Sequence, residues 1–237
     1  MDPVDMDEAQ HRISQLLARH RFAQVVTFGS EMAMLARRDP TYRDVVNAAE
    51  LVVLDTVGVV VAARLLGQPV RERVAGIELV ERVCADCARD NIPIFLLGGA
   101  EGVAKQAASE LTQRHPGLKI AGIHDGYFSD ADDAAVAREI RMSGAQLVLV
   151  ALGFPRQELW VNSHAVVLGP VVCIGIGGSL DVISGRLQRA PETMRKLGLE
   201  WLYRLIKEPQ RLGRQLVLPL FAFLVAGQAL RERLRLS

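Results

Sequence analysis

The feature that most constrains this chain is a rhythm. Short, almost wholly apolar runs recur, each bounded by turn residues and separated from the next by a helical stretch. The runs are Ala23–Phe28, Ala49–Leu54, Pro93–Leu97, Lys119–His124, Leu147–Leu152 and Val171–Ile176. Between them, apolar spacing predicts helices over Ser30–Asp39, Gly58–Leu66, Gly76–Asp90, Gly102–His115, Ala131–Ser143 and Gln157–Val167. A strand that is apolar at nearly every position is covered on both faces, and strands alternating with helices pair in parallel. The fold class expected is α/β: a Rossmann-like, mostly parallel sheet with helices on both faces.

In such sheets ligands bind beyond the carboxyl ends of the strands. Those ends carry Thr27, Asp55, Gly98–Gly99, Asp125–Phe128, Gly153–Gln157 and Gly177–Asp181, and nearly every unusual residue type in the chain falls in this set. Asp55 directly follows a strand. A carboxylate there either caps the helix at Gly58–Leu66 or takes a proton from an attacking hydroxyl. Gly98 and Gly99 open a helix and could let a phosphate approach the backbone. The run reads GGxxG rather than GxGxxG, a weak dinucleotide fingerprint. Gly153 and Phe154 lead through Pro155 into a first helical turn, where the Gln157 amide can bond a uracil or sugar edge and capping explains Glu158. Gly177 and Gly178 lead through Asp181, able to hold a hydroxyl, to the polar run Arg186–Pro191 and an Arg-rich helix. That segment suits a polyhydroxylated, phosphate-bearing ligand, or it is a strand–turn–helix with a solvated basic face.

Charge and cysteine usage narrow the classes. A net charge of +1 argues against a nucleic-acid partner. The basic charge is local: from Met194 to Ser237 nine Arg and Lys face three Glu. Met1–Glu8 carries four acidic residues and no apolar core, unlike a signal peptide. Three Cys offer no disulfide framework, which implies a cytosolic setting; Cys84 and Cys87 form a CxxC inside a helical pattern and read as packed thiols. The five His show no ligand spacing, so no metal and no cofactor are expected.

Composition changes after about Thr193. The expected organisation is an α/β domain over 1–193 and a helical appendage over 194–237 that closes the site and meets a membrane. Within the appendage Leu216–Leu230 is apolar but interrupted by Pro219, and it is shorter than the about 20 residues a span requires. With Arg on either side it fits a helix in the headgroup zone of an anionic membrane; a core helix or a homo-oligomer contact would also use it.

LDTVGVV, RVAGIEL, GIHDGYF, ALGFPRQELW, GIGGSLDVISGRLQRAP and GLEWLYRLIKEPQRLGR occur in the order and spacing of the WecG/TagA/CpsF glycosyltransferases, which the chain resembles over about Val25 to Arg214. The resemblance implies a bacterial, metal-independent, inverting enzyme. It would move a hexose or N-acetylhexosamine from a UDP-sugar donor to a polyprenyl-diphosphate-linked sugar acceptor in surface polysaccharide assembly. It would act as a peripheral protein on the cytoplasmic face of the inner membrane. By position, Asp55 resembles the catalytic base, with Thr27 and Gln157 beside it. Tyr127 and Asp181 match the nucleotide-sugar pocket, which Gly98, Gly99, Gly153, Phe154 and Gly177 would complete. Arg73 matches a basic position near the acceptor, and Arg204, Arg211 and Arg214 match arginines that reach the acceptor diphosphate.

The chain departs from that pattern at three points. Gly29 stands where Asn is usual after Thr27, Thr56 follows Asp55 where Gly is usual, and Glu78 stands where Asp is common. The first loses a polar contact to the sugars and leaves the donor sugar open. Two rival functions fit the residues: a nicotinamide-dependent oxidoreductase using Gly98–Gly102, and a catalytically inactive nucleotide-sugar-binding membrane protein.

Overall fold

The computed structural model describes residues 2–196, 199–207, 213 and 216–236. Among the described residues six strands form one sheet: β1 (Ala23–Phe28), β2 (Leu51–Leu54), β3 (Ile94–Gly98), β4 (Ile120–His124), β5 (Leu147–Ala151) and β6 (Val172–Gly175). Their spatial order is β2-β1-β6-β5-β3-β4, and every pairing is parallel.

The strands are apolar throughout because alternate residues feed different cores. Along β3, Ile94 and Leu96 join the core beneath α1 (Met6–Ala18), α5 (Gly76–Arg89), α6 (Val103–Arg114) and α10 (Ser179–Ile183). Phe95 and Leu97 point the other way, toward α7 (Asp133–Ser143), α8 (Arg156–Ser163) and α9 (Ala165–Leu168). On that same face Val26, Phe28, Val52 and Leu54 build a third core with α2 (Ser30–Arg38), α3 (Pro40–Ala48) and α4 (Val57–Leu65). The β2 edge is covered: the Asp2 N–H donates to the Val52 carbonyl at 3.0 Å, and the Asp2 carboxylate accepts the Val52 N–H at 2.9 Å.

Sequence periodicity had assigned no element to α1, α3 or α10. Asp39 caps α3 by accepting the Tyr42 N–H at 3.1 Å, and Pro40 opens the helix. The single helix expected over Gln157–Val167 is two, α8 and α9. They part at His164, where the Ser163 hydroxyl donates to the Trp160 carbonyl at 3.0 Å and competes with the helical ladder.

The chain closes with α11 (Glu192–Lys196), α12 (Glu200–Lys207) and α13 (Val217–Leu236). Pro219 lies in the first turn of α13, where its missing N–H breaks no bond, so it opens the helix instead of interrupting it. α13 packs on α2 and α4 through Phe221, Val225 and Ala229. Its opposite side exposes Leu216 at the entry to the helix, then Leu220, Phe223, Leu230 and Leu234, a stripe at helical spacing. No described helix is long and apolar enough to cross a membrane.

Candidate active site

Asp55 leaves β2 at the carboxyl edge of the sheet. Its Oδ1 accepts the N–H of Gly76 at 2.7 Å, so the carboxylate sits at the electropositive N-terminus of α5 and not on the helix that follows it in sequence. Gly76 also abuts Thr27: a Cβ there would lie 3.2 Å from Thr27 Cγ2. Thr27 Oγ1 donates to the Gly175 carbonyl at 2.7 Å. Gly175 in turn makes room for Gln157, whose Nε2 would be 2.7 Å from any Cβ on that strand position. Gln157 Nε2 donates to Glu158 Oε1 at 2.6 Å, and its Oε1 accepts the Gly177 N–H at 3.1 Å. Asp55, Thr27 and Gln157 therefore come together through two glycines, from three separate stretches of chain.

Gln157 is only 3% exposed. Its amide faces inward, not toward open space at a helix start, and it fastens α8 to the turn after β6. Glu158 is 1% exposed, so it is no surface cap: Tyr42, itself fully buried, donates to its Oε2 at 3.3 Å. Burial pushes the Glu158 carboxyl up to about 7, with the hydrogen bonds from Gln157 and Tyr42 acting against that rise.

The β3–β4–β5 side is built from backbone. Gly98 has φ +127°, and a Cβ there would lie 2.3 Å from the Ala151 carbonyl oxygen, so only glycine fits. The Gly99 N–H donates to that same carbonyl at 3.2 Å, and the Gly126 N–H donates to the Gly99 carbonyl at 2.8 Å. Asp125 Oδ1 accepts the Gly102 N–H at 3.2 Å. Arg156 donates to the carbonyls of Gly126 at 2.7 Å and Phe128 at 3.0 Å while lying over the Phe128 ring. The same loop holds out Tyr127, 86% exposed. Gly153 and Gly177 turn with positive φ beside open space, Phe154 packs on the third core, and Asp181 occupies the first turn of α10.

Arg73 Nη1 stands 3.6 Å from Glu200 Oε2, which ties α12 to the segment entering α5. Arg204 lies on α12 with its side chain outside what the structure describes, and Arg211 and Arg214 lie outside the described residues. Glu78 meets Arg189 and Arg195. A cavity of about 570 Å³, lined by Ile77, Arg114, Val182, Gln188 and Tyr203 among others, lies alongside α5 below this ion pair.

Two of the departures are one local event. A Cβ at Gly29 would lie 3.2 Å from Thr56 Cγ2, and Thr56 Oγ1 accepts the Ser30 N–H at 3.2 Å. Thr56 fills the space that a side chain at position 29 would claim. The CxxC thiols are buried on α5, and burial pushes Cys87 up to about 12 and Cys84 higher still, so both stay protonated.

Sequence reasoning singled out neither Gly76, Gly175 nor Tyr42. Gly175 carried a usable signal: a lone glycine within an apolar strand marks a close approach. Tyr42 carried none, because its partner is 116 residues away.

Comparison with known proteins agrees with the geometry. The profile of the glycosyl transferase WecG/TagA/CpsF family matches residues 1–235. Among curated relatives, a protein of Bacillus subtilis (strain 168) is 36% identical over 216 residues, 91% of this chain and 82% of its own length. It is named N-acetylglucosaminyldiphosphoundecaprenol N-acetyl-beta-D-mannosaminyltransferase. A Staphylococcus aureus (strain MW2) protein of the same name is 35% identical over 202 residues, 85% of this chain and 79% of its own. These matches set aside the nicotinamide-dependent reading of Gly98–Gly102. With its parallel sheet and with Asp55, Thr27 and Gln157 joined at the carboxyl edge, the chain belongs to the WecG/TagA/CpsF family and is a glycosyltransferase.

Proposed function

We propose that the enzyme transfers a hexose or N-acetylhexosamine from a UDP-sugar to a polyprenyl-diphosphate-linked sugar, with inversion and without a metal ion. The observation that carries this reading is the clustering of Asp55, Thr27 and Gln157 at the carboxyl edge, where Asp55 bonds Gly76, Thr27 bonds Gly175, and the two glycines leave room for Thr27 and Gln157. It is supported by relatives whose names specify an acceptor carried on undecaprenyl diphosphate. Asp55 takes the proton of the acceptor hydroxyl as that oxygen attacks the anomeric carbon from the face opposite UDP. The bond from the anomeric carbon to the diphosphate breaks, and UDP leaves with the electron pair. The helix N-termini beside the Gly98–Gly102 and Gly177–Gly178 turns stabilise its charge. Tyr127 and Asp181 hold the nucleotide sugar, and Arg73, Arg204, Arg211 and Arg214 hold the acceptor diphosphate.

Residues 194–237 act as an appendage that brings the site to the bilayer on the cytoplasmic face. The exposed stripe of α13 supplies apolar surface, and the nearby arginines attract anionic lipid at about 1 kcal/mol each. The glycine and threonine at positions 29 and 56 leave the choice of donor sugar to this enzyme's own pocket. The test is a panel of UDP-sugars with a short-chain polyprenyl-diphosphate sugar, in excess EDTA. Transfer of one sugar with inverted configuration is the expected result; restoration by Mn²⁺ of an activity lost in EDTA refutes metal independence. A Phe223→Glu change should release the protein from anionic vesicles, and unchanged sedimentation refutes the membrane role of α13.

A further inference from the structure

Glu158 is the one carboxylate among the described residues that sits fully inside the protein, and burying a carboxyl group is expensive unless its oxygens are used. Both are. Oε1 accepts Gln157 Nε2 at 2.6 Å and Oε2 accepts the Tyr42 hydroxyl at 3.3 Å. The Gln24 side chain of β1 fixes the same residue from behind, donating to the Glu158 carbonyl at 3.1 Å. Gly175 admits the pair: a Cβ there would lie 3.3 Å from Glu158 Oε1 and 2.7 Å from Gln157 Nε2. The far end of the Gln157 amide accepts the Gly177 N–H at 3.1 Å.

We propose that Glu158 is a positioning residue, whose buried carboxylate clamps the Gln157 amide and through it sets the Gly177–Gly178 turn that carries Asp181. Its effect on turnover rests on the transferase reading above; the clamp itself does not. Ionised, the carboxylate accepts both hydrogen bonds as charge-assisted ones; protonated, it holds the amide less firmly and competes with the Tyr42 proton. Among the described residues Tyr42 is the titratable group that meets this carboxyl. Burial beside Glu158 pushes that phenol up, so it stays a neutral donor, and no described Lys, Arg or His forms an ion pair with Glu158. The clamp therefore tightens as pH rises through the neutral range.

The test follows the Gly177 amide and the Gln157 side-chain amide by NMR in isotope-labelled full-length protein, from about pH 5 to about pH 8. In the wild type both resonances should move together, with a midpoint near 7. The isosteric Glu158→Gln change should leave the rest of the spectrum in place and abolish that movement. In parallel, kcat for UDP-sugar transfer should rise across the same range in the wild type and lose that limb in Glu158→Gln. A Gly177 amide that never titrates, or titrates equally in the variant, overturns the clamp. A flattened titration with an unchanged kcat profile reduces Glu158 to a packing residue and overturns the positioning role. If the resonances behave as expected while no UDP-sugar is transferred by either protein, the transferase reading fails and the clamp stands. Where Glu158→Gln does not fold, Tyr42→Phe removes one donor and should raise the midpoint; an unmoved midpoint overturns the proposal.

Discussion

The two halves of the sheet's carboxyl edge are built on opposite plans. On the β2–β1–β6 side, side chains do the contacting: Asp55, Thr27 and Gln157 each bond a backbone group of another element. On the β5–β3–β4 side the backbone mostly contacts itself, with Gly98, Gly99 and Gly126 pressed against Ala151 and one another, while Arg156 braces the loop through the Gly126 and Phe128 carbonyls and Tyr127 is held out in solvent. Under the proposed mechanism the first plan holds the proton acceptor Asp55 and its neighbours in place before any ligand arrives, which is what transition-state stabilisation requires. Under the same mechanism the second presents glycine turns and helix N-termini to the diphosphate leaving group.

If that division is right, the halves should fail differently. Asp55→Asn should lower transfer by about 10²- to 10⁴-fold, the range for loss of a general base, while leaving UDP affinity nearly intact. Turnover and UDP-quenched tryptophan fluorescence measure both, and unchanged turnover breaks the assignment. Gly98→Ala should instead cost about 4 kcal/mol of stability, combining positive-φ strain with a clash against a backbone carbonyl. Denaturant unfolding checks it, and a soluble variant of normal midpoint shows that the turn can move.

Glu158 sharpens the contrast through pH. The unfolded chain releases this proton near 4.5, whereas the folded chain keeps it until about 7. Between those values the folded state binds more protons, so this group's contribution falls as pH rises, by about 3 kcal/mol in all. Glu158→Gln should remove that decline, and the stability gap between variant and wild type should widen from about pH 5 to about pH 8. Parallel stability curves contradict it. The smallest effect concerns the paired departures. Gly29→Asn should destabilise the protein, and Thr56→Gly added to it should recover about 1 kcal/mol, the coupling expected of contacting residues. Additive losses would show that the two positions are independent.

Much of the fold could be read in advance because a parallel sheet leaves its mark in every strand: residues 94 to 97 are apolar without alternation since each side of the sheet is a core. The chemistry-bearing positions could be read as well, because turn residues after a strand stand out from the apolar run before them. α1 carries a helical spacing of its own, since Met6, Ala9, Ile13, Leu16 and Leu17 line one buried face, whereas α3 is marked in the sequence chiefly by the Asp39–Pro40 start. Pro219 looked like an interruption because its position within a helix cannot be known before the helix's first residue is.

What the chain alone determined was local and periodic: strands from apolar runs, turns from glycine, a family from motifs in order. Which partner each polar group takes is a long-range matter. Asp55 could cap the helix next to it, yet it reaches 21 residues on to Gly76; Glu158 could cap its own helix, yet it is sealed against Tyr42. Nothing in the spacing of residues distinguishes these outcomes. They follow from strand order: placing β6 beside β1 brings the Gly175 carbonyl to Thr27 and the α8 side chains over both, and the buried polar groups must then be satisfied by whatever the packing has put within reach.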